Sequence, residues 1–252
     1  MTASLAACSG QPGNGDAGNL SGGAAAQAQP TATPVPALCD NPLGPVKLGA
    51  TWTYSSTTNN EGPAVFTTTI TDVRPNGFSA VADLGDNIRV NQDWACMQDG
   101  LTIQSLDTGS ASLSLDIEGI QVDLTTSDAT GLILPAHLET GATWPYGLSI
   151  DGKVKQGDSS ANVQGSISTA FEDVGSEPIT VPAGSFNATK IQATSTIKVT
   201  ADYLILKLPI TSVVTTTFWL APGVGLVKSV ESGDLMGTTL SSTTELQSYN
   251  IP

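Results

Sequence analysis

Residues 190–200 read Lys-Ile-Gln-Ala-Thr-Ser-Thr-Ile-Lys-Val-Thr, a run in which apolar and polar side chains alternate. In an extended strand successive side chains point to opposite faces, so the apolar residues share one face and most of the polar ones share the other. A strand with one buried and one solvated face is typical of an antiparallel sheet. The run therefore predicts an antiparallel sheet around an apolar interior.

The same alternation recurs on both sides of this run. It predicts further strands at 51–56, 65–73, 78–84, 88–96, 112–117, 163–171, 213–220 and 240–249. Turn signals separate many of these runs: Pro75-Asn76-Gly77, Asp99-Gly100, Asp151-Gly152, Pro182-Ala183-Gly184 and Pro222-Gly223. Because no helical period intervenes, we expect an all-β domain built as a strongly curved antiparallel sheet or open β-barrel. A two-sheet β-sandwich is the alternative.

One aromatic motif occurs twice in the chain. Residues 49–54 read Gly-Ala-Thr-Trp-Thr-Tyr, and residues 141–146 read Gly-Ala-Thr-Trp-Pro-Tyr. In each copy the Trp and the Tyr are two positions apart, which places both rings on one face of a strand. We interpret these rings as core residues, with a platform for stacking sugars or lipids as the alternative.

The composition restricts the class of protein. The chain has 252 residues, of which 39% are hydrophobic and 13% are charged, so it can bury a substantial core. Its formal net charge of −14 repels phosphate backbones, and we therefore expect no nucleic-acid partner. The acidic residues are scattered along the chain, which is typical of a solvated surface.

The first eight residues end in Leu5-Ala6-Ala7-Cys8, which resembles the lipobox of bacterial lipoproteins. In a lipobox, small residues precede the cysteine whose thiol receives a diacylglycerol. We interpret residues 1–8 as the remnant of a lipoprotein signal and predict that lipidated Cys8 anchors the chain to a bacterial membrane, outside the cytosol. We expect the basic start and apolar stretch of an export signal to precede residue 1 in the gene. An ordinary tail with a chance cysteine is the alternative.

The segment after Cys8 differs in composition from the rest of the chain. Residues 9–38 are mostly Gly, Ala, Gln, Pro, Ser and Thr, which predicts a disordered tether, and residues 39–252 are expected to form one all-β domain. If Cys8 carries lipid, Cys39 and Cys96 remain as a pair in an exported protein. This predicts a disulfide between them, with two buried free thiols as the alternative.

Three ordered stretches carry a resemblance to a known family. They are 45–54 (Pro-Val-Lys-Leu-Gly-Ala-Thr-Trp-Thr-Tyr), 181–186 (Val-Pro-Ala-Gly-Ser-Phe) and 219–228 (Trp-Leu-Ala-Pro-Gly-Val-Gly-Leu-Val-Lys). The set resembles a group of uncharacterised bacterial lipoproteins whose curved antiparallel sheet is similar in outline to the LolA-like half-barrel. The resemblance implies turn and core positions for these motifs and transfers no catalytic residue.

The sequence contains few candidates for catalytic or metal-binding residues. The only histidine is His137, and the sequence contains no Gly-x-Ser-x-Gly turn that would supply a serine nucleophile for it. We therefore interpret His137 as a surface or turn residue. Neither Cys39 nor Cys96 has a partner at metal-ligand spacing. Asp93 beside Trp94 is the one place where an acid and an aromatic ring could serve a sugar. We therefore expect no enzyme activity, no metal and no cofactor.

Three hypotheses for function follow. The first is a membrane-tethered binding module whose concave face holds an apolar small molecule or a protein segment. The second is a structural or interaction protein of the cell envelope without a ligand pocket, which a contiguous exposed apolar patch would support. The third, ranked last, is a carboxylate-based hydrolase.

Overall fold

The computed structural model describes residues 37–59, 61–85, 88–107, 120–157, 159–203, 206–235 and 238–252. These residues all belong to one compact unit, Val35–Pro252. The predicted lipidation site Cys8, the segment 9–36 and the predicted strand 112–117 lie outside the described residues. Within the described ranges, no helix has the length and hydropathy needed to span a bilayer.

The described part of the domain is built from strands after a short 3₁₀ helix, Ala37–Cys39. In chain order the strands are β1 Thr51–Thr58, β2 Glu61–Arg74, β3 Gly77–Gly85, β4 Ile88–Met97, β5 Gly100–Asp107, β6 Ile120–Gly131, β7 Leu134–Pro135, β8 Thr143–Gln156, β9 Ser159–Val181, β10 Gly184–Tyr203, β11 Leu206–Ala221, β12 Gly225–Leu235 and β13 Thr238–Asn250.

These strands form one antiparallel sheet in which sequence neighbours mostly lie side by side. The order is β4-β3-β2-β1-β13-β12-β11-β10-β9-β8-β6-β5-β7, and β4 also pairs with β5. Because β4 pairs with β5, the series of strand pairings closes on itself. The contact between β5 and β6 is the thinnest link, with one described residue pair, Asp107 with Thr125. The prediction of a strongly curved antiparallel sheet is confirmed, and the alternative of two separate sheets is wrong because a single sheet contains all the described strands.

One predicted turn is wrong. Asp151-Gly152 lies inside β8, where Asp151 pairs with Thr125 of β6 on one side and with Gln164 of β9 on the other. Backbone pairing to a neighbour on each side outweighs the local turn preference of an Asp-Gly pair. The other turn signals lie at the ends of strands, as predicted.

The sheet has two different ends. At the turn end, short connections join neighbouring strands at 74–77, 97–100, 181–184 and 221–225. At the open end, the strands β1, β3, β5, β8, β10 and β12 finish. Burial is concentrated toward the turn end, where Ile191, Val227 and Leu246 are almost completely enclosed.

The repeated aromatic motif supplies much of this core, as predicted. Trp52 and Tyr54 are buried, and they donate hydrogen bonds to the carbonyl oxygens of Val224 (2.7 Å) and Leu226 (3.0 Å). Since a phenol that is shielded from water ionises less readily, burial raises the pKa of Tyr54 above its usual value. These two bonds connect β1 to the turn that precedes β12 and to its start.

The second copy of the motif is built in the same way. Trp144 stacks on Phe171 with ring centroids 5.4 Å apart, and the hydroxyl of Tyr146 donates to the carbonyl oxygen of Ile103 at 2.9 Å. Burial raises the pKa of Tyr146 to about 12. Gly141 before this copy has a φ of 87°, and Gly49 before the first has a φ of 78°, a backbone conformation that glycine adopts without steric cost.

The entry segment 39–50 covers the turn end of the interior. A disulfide joins Cys39 to Cys96 at the end of β4, with the two Cα atoms 5.0 Å apart. The side-chain amide of Asn41 donates to the carbonyl oxygen of Pro135 at 3.0 Å, and the amide of Gly223 donates to that of Pro42 at 2.7 Å. The segment is thus tied to β4, to β7 and to the turn that precedes β12.

Candidate functional site

The register of the strands identifies which side chains face inward. Directly opposite residues on neighbouring strands lie on the same face of a sheet. Phe171 pairs with Ala193, and Ala193 pairs with Thr216. Because all three are buried, this row lies on the inner face. Every second residue of β9, β10 and β11 on the open-end side of the row therefore faces inward as well.

Several of these inward positions, together with Val154 of β8, are apolar and half-buried. We call this set the upper inner face: Val154, Ala161, Ile197, Val199, Ala201 and Ile210. Val199 pairs with Ile210 and Val154 pairs with Ala161, and the buried Val163, which pairs with Ala201, lies between these two parts of the set.

Burial changes abruptly along β10. Ile191 and Ala193 are each 2% exposed, whereas none of the residues 194–202 is buried. β9 and β10, with 23 and 20 residues, continue toward the open end beyond this change, and Val163 of β9 is still buried there. The inner face of β10 is therefore enclosed at the turn end and half-buried toward the open end, where Val163 of β9 and Ser212 of β11 beside it remain buried.

The outer face of the same strands is polar. Lys190, Gln192, Thr194, Thr196, Lys198 and Thr200 occupy the alternate positions of β10, as the sequence pattern predicts. Lys190, Glu177 and Trp219 form one cluster on this face. The ammonium of Lys190 lies 5.4 Å from the centroid of the Trp219 ring and 3.2 Å from a carboxylate oxygen of Glu177. The hydrogen bond that Trp219 donates to Glu177 is the main cause that lowers the pKa of this carboxylate, and the hydrogen bond from Lys190 lowers it further.

Two shallow grooves also lie on the outer face. One, of about 360 Å³, is bordered by Thr143, Pro145, Ala170, Glu172, Gln192 and Thr194. The other, of about 530 Å³, crosses β2 to β4 along Thr67, Thr69, Thr71, Val81, Asp83 and Arg89. Trp144 and Phe171 also line the first groove, and Val65 and Phe66 also line the second, which contains an ion pair between Arg89 and Asp83. The upper inner face lies on the opposite side of the sheet from both grooves.

The residues considered for catalysis do not come together. Asp93 pairs with Arg74 and accepts a hydrogen bond from Ser79, while the ring of Trp94 stacks on Phe78 and donates to Gln92. As neighbours in a strand, Asp93 and Trp94 point to opposite faces, so they do not form one sugar site.

The other candidates also lie apart from the upper inner face. His137 is exposed in the connection between β7 and β8. In the described ranges, no group of three or more His, Cys, Asp or Glu residues is arranged to hold a metal ion.

Comparison with known proteins gives one family and several solved structures. Residues 85–246 match the model of the DUF3108-like family. No curated protein matches the chain.

Three solved structures are similar to this chain at low sequence identity. A “putative lipoprotein” from Parabacteroides distasonis is 17% identical, with a TM-score of 0.46 over 84% of this chain and 99% of that one. An exported protein with a YmcC-like fold from Bacteroides fragilis is 16% identical, with a TM-score of 0.43 over 82% and 97%. The hypothetical lipoprotein YmcC from Escherichia coli is 11% identical, with a TM-score of 0.36 over 81% and 85%.

Proposed function

This chain belongs to the DUF3108-like family, and from that premise we propose that it is a lipid-anchored, extracytoplasmic binding protein that holds an alkyl chain against its upper inner face. It positions this ligand without reacting with it. The observation that carries the proposal is the change along β10 from enclosed Ile191 and Ala193 to half-buried Ile197 and Val199 on the same face.

An alkyl chain fits this face for a simple physical reason. Water in contact with half-buried aliphatic side chains is released when an apolar ligand covers them, and each square ångström of apolar surface removed from water contributes about 25 cal/mol. The rigid sheet holds these side chains in place before the ligand arrives, which reduces the entropic cost of binding. An apolar, preformed concave surface is also the usual form of a small-molecule site.

The proposed location rests on Cys8 and on the disulfide between Cys39 and Cys96. Cys8 lies in a lipobox-like sequence, and the disulfide between Cys39 and Cys96 is a bond that persists in oxidising compartments outside the cytosol. A lipid on Cys8 would keep the domain at a membrane surface while the binding face remains in the aqueous phase.

The anchor is tested by replacing the predicted lipidation site. Produced in a bacterium behind a lipoprotein export signal that ends at Ala7, the chain is expected in the membrane fraction with an intact mass that includes acyl chains on Cys8. The Cys8→Ser variant is expected in the soluble fraction without that mass, because the thiol that carries the lipid is missing. Membrane association that is equal in both proteins would overturn the lipid anchor.

The binding face is tested by placing a charge on it. The Val199→Asp variant is expected to bind a neutral alkyl amphiphile such as dodecyl maltoside at least about tenfold more weakly than the wild type, because a carboxylate would have to be desolvated beside the alkyl chain. The dissociation constant is measured by calorimetry below the critical micelle concentration.

The matched control is Thr200→Asp, which adds the same charge at the neighbouring residue on the outer face and is expected to bind like the wild type. Thermal melts of both variants verify that they are folded. If the wild type binds no alkyl amphiphile, the binding proposal fails and an envelope protein without a ligand pocket takes its place. If both variants bind equally well, the upper inner face is not the site.

A further inference from the structure

We infer that the ligand carries a positively charged head group and that Glu231 on β12 pairs with it. This inference rests on the proposed function and deepens it by naming the class of ligand: an amphiphile with an alkyl chain and an ammonium head.

The register places Glu231 on the inner face. It pairs with Thr216 of β11 on one side and with Ser242 of β13 on the other. Thr216 is buried and pairs in turn with the buried Ala193. Since directly opposite residues share a face, the carboxylate of Glu231 lies on the same side of the sheet as the upper inner face.

The surroundings of Glu231 are free of other charges. Among the described inward positions of β8 to β13 from that row to the open end, Glu231 is the only Asp, Glu, Lys, Arg or His side chain. The other inward carboxylate on these strands, Asp173, is buried closer to the turn end and accepts a hydrogen bond from the amide of Gly175 at 2.8 Å.

Glu231 differs from the acidic residues that form ion pairs, most of which lie on the outer face or at strand ends. Ion pairs join Lys190 to Glu177, Arg74 to Asp93, Arg89 to Asp83, Lys207 to Asp202 and Lys228 to Glu245. Glu231 has no ion-pair partner in the described part of the chain, and its side chain is exposed to solvent. It is therefore available to a charged group of a ligand.

Charge complementarity selects the head group. In this proposal the head group lies beside Glu231, whose row continues through Ser242 to Thr58 at the open end of β1, and an anionic head would be repelled by this carboxylate and by a chain of net charge −14. An ammonium group would satisfy the carboxylate with a charge-assisted hydrogen bond. An uncharged head group forms no ion pair with Glu231. The contribution of Glu231 to binding affinity therefore distinguishes amphiphiles with an ammonium head from those with an uncharged head.

The test compares amphiphiles with equal alkyl chains and different heads: dodecylammonium, dodecyl maltoside and dodecanoate, each below its critical micelle concentration and at low ionic strength. We expect the ammonium probe to bind about fivefold more tightly than the maltoside, the size of effect that a partly exposed ion pair produces. Dodecanoate is expected to bind more weakly than both.

Two variants locate the origin of this preference. Glu231→Gln is expected to remove the preference for the ammonium probe and leave maltoside binding unchanged. Glu172→Gln, which deletes one exposed carboxylate from the outer face, is expected to retain the preference.

The outcomes distinguish this inference from the proposed function. If Glu231→Gln retains the preference, the cation is attracted by the net charge of the protein and the inference falls. If the wild type binds all probes equally, the inference falls while the binding function stands. If no probe binds, including the maltoside, both fall.

Discussion

Removal of the disulfide between Cys39 and Cys96 is expected to lower the free energy of unfolding by about 4 kcal/mol. The bond closes a loop across a sequence separation of 57 residues, and in the chain-entropy model a loop of that length constrains the unfolded chain by this amount. Both cysteines are buried at the turn end, so the bond also holds the entry segment over the core. The measurement is denaturant unfolding of the Cys39→Ser/Cys96→Ser double variant and of the wild type.

Chemical reduction of the wild type provides an independent route to the same state and is expected to give a similar loss. Cys8→Ser serves as the control, because it removes a thiol that takes no part in the bond and should leave the unfolding curve unchanged. A loss below about 1 kcal/mol in the double variant would mean that the loop is already constrained by other contacts in the unfolded chain.

The second large effect concerns the contrast between two isoleucines on the same face of β10. Ile191→Ala is expected to destabilise the domain by about 3 kcal/mol, since removal of a fully enclosed aliphatic side chain loses its burial and leaves a cavity. Ile197→Ala removes the same atoms from a half-buried position and is expected to cost about 1 kcal/mol, because water already reaches that site. Equilibrium unfolding in urea measures both.

This pair controls for residue type, strand and face, so the difference reports burial alone. Equal large losses would show that the interior is packed as tightly at Ile197 as at Ile191, which would leave no surface for a ligand. Equal small losses would show that the core does not extend to β10. Either result contradicts an inner face of β10 that is enclosed at the turn end and half-buried toward the open end.

The fold could be predicted because period-two alternation is a local property. Residues 190–200 carry it clearly, and the structure places them in β10 with the predicted inner and outer faces. The aromatic motif was also informative, since Trp52, Tyr54, Trp144 and Tyr146 are all buried.

Some strands could not be recognised from local pattern. β12 contains Glu231 and Gly233 at inward positions, so its inner face is not apolar and the alternation is lost; pairing with β11 and β13 makes it a strand. In β8 the Asp151-Gly152 pair imitates a turn. Both cases show pairing between segments distant in sequence outweighing local preference.

The candidate site was harder to predict from the sequence than the fold. The sequence shows that Ile191 and Ile197 share a face but not that burial ends between them, because that depends on how far neighbouring strands extend. The inward position of Glu231 likewise depends on its register with Thr216 and Ser242. Such register is fixed by the whole sheet and not by the residues around the carboxylate.

The most direct test of an apolar site inside the sheet is to measure nuclear Overhauser effects between a bound neutral alkyl amphiphile and the methyl groups of the domain. We predict contacts from the alkyl chain to Ile197, Val199 and Ile210 on the upper inner face. Contacts confined to outward methyl groups such as those of Val65 and Val213, which are 60% and 50% exposed, would contradict it.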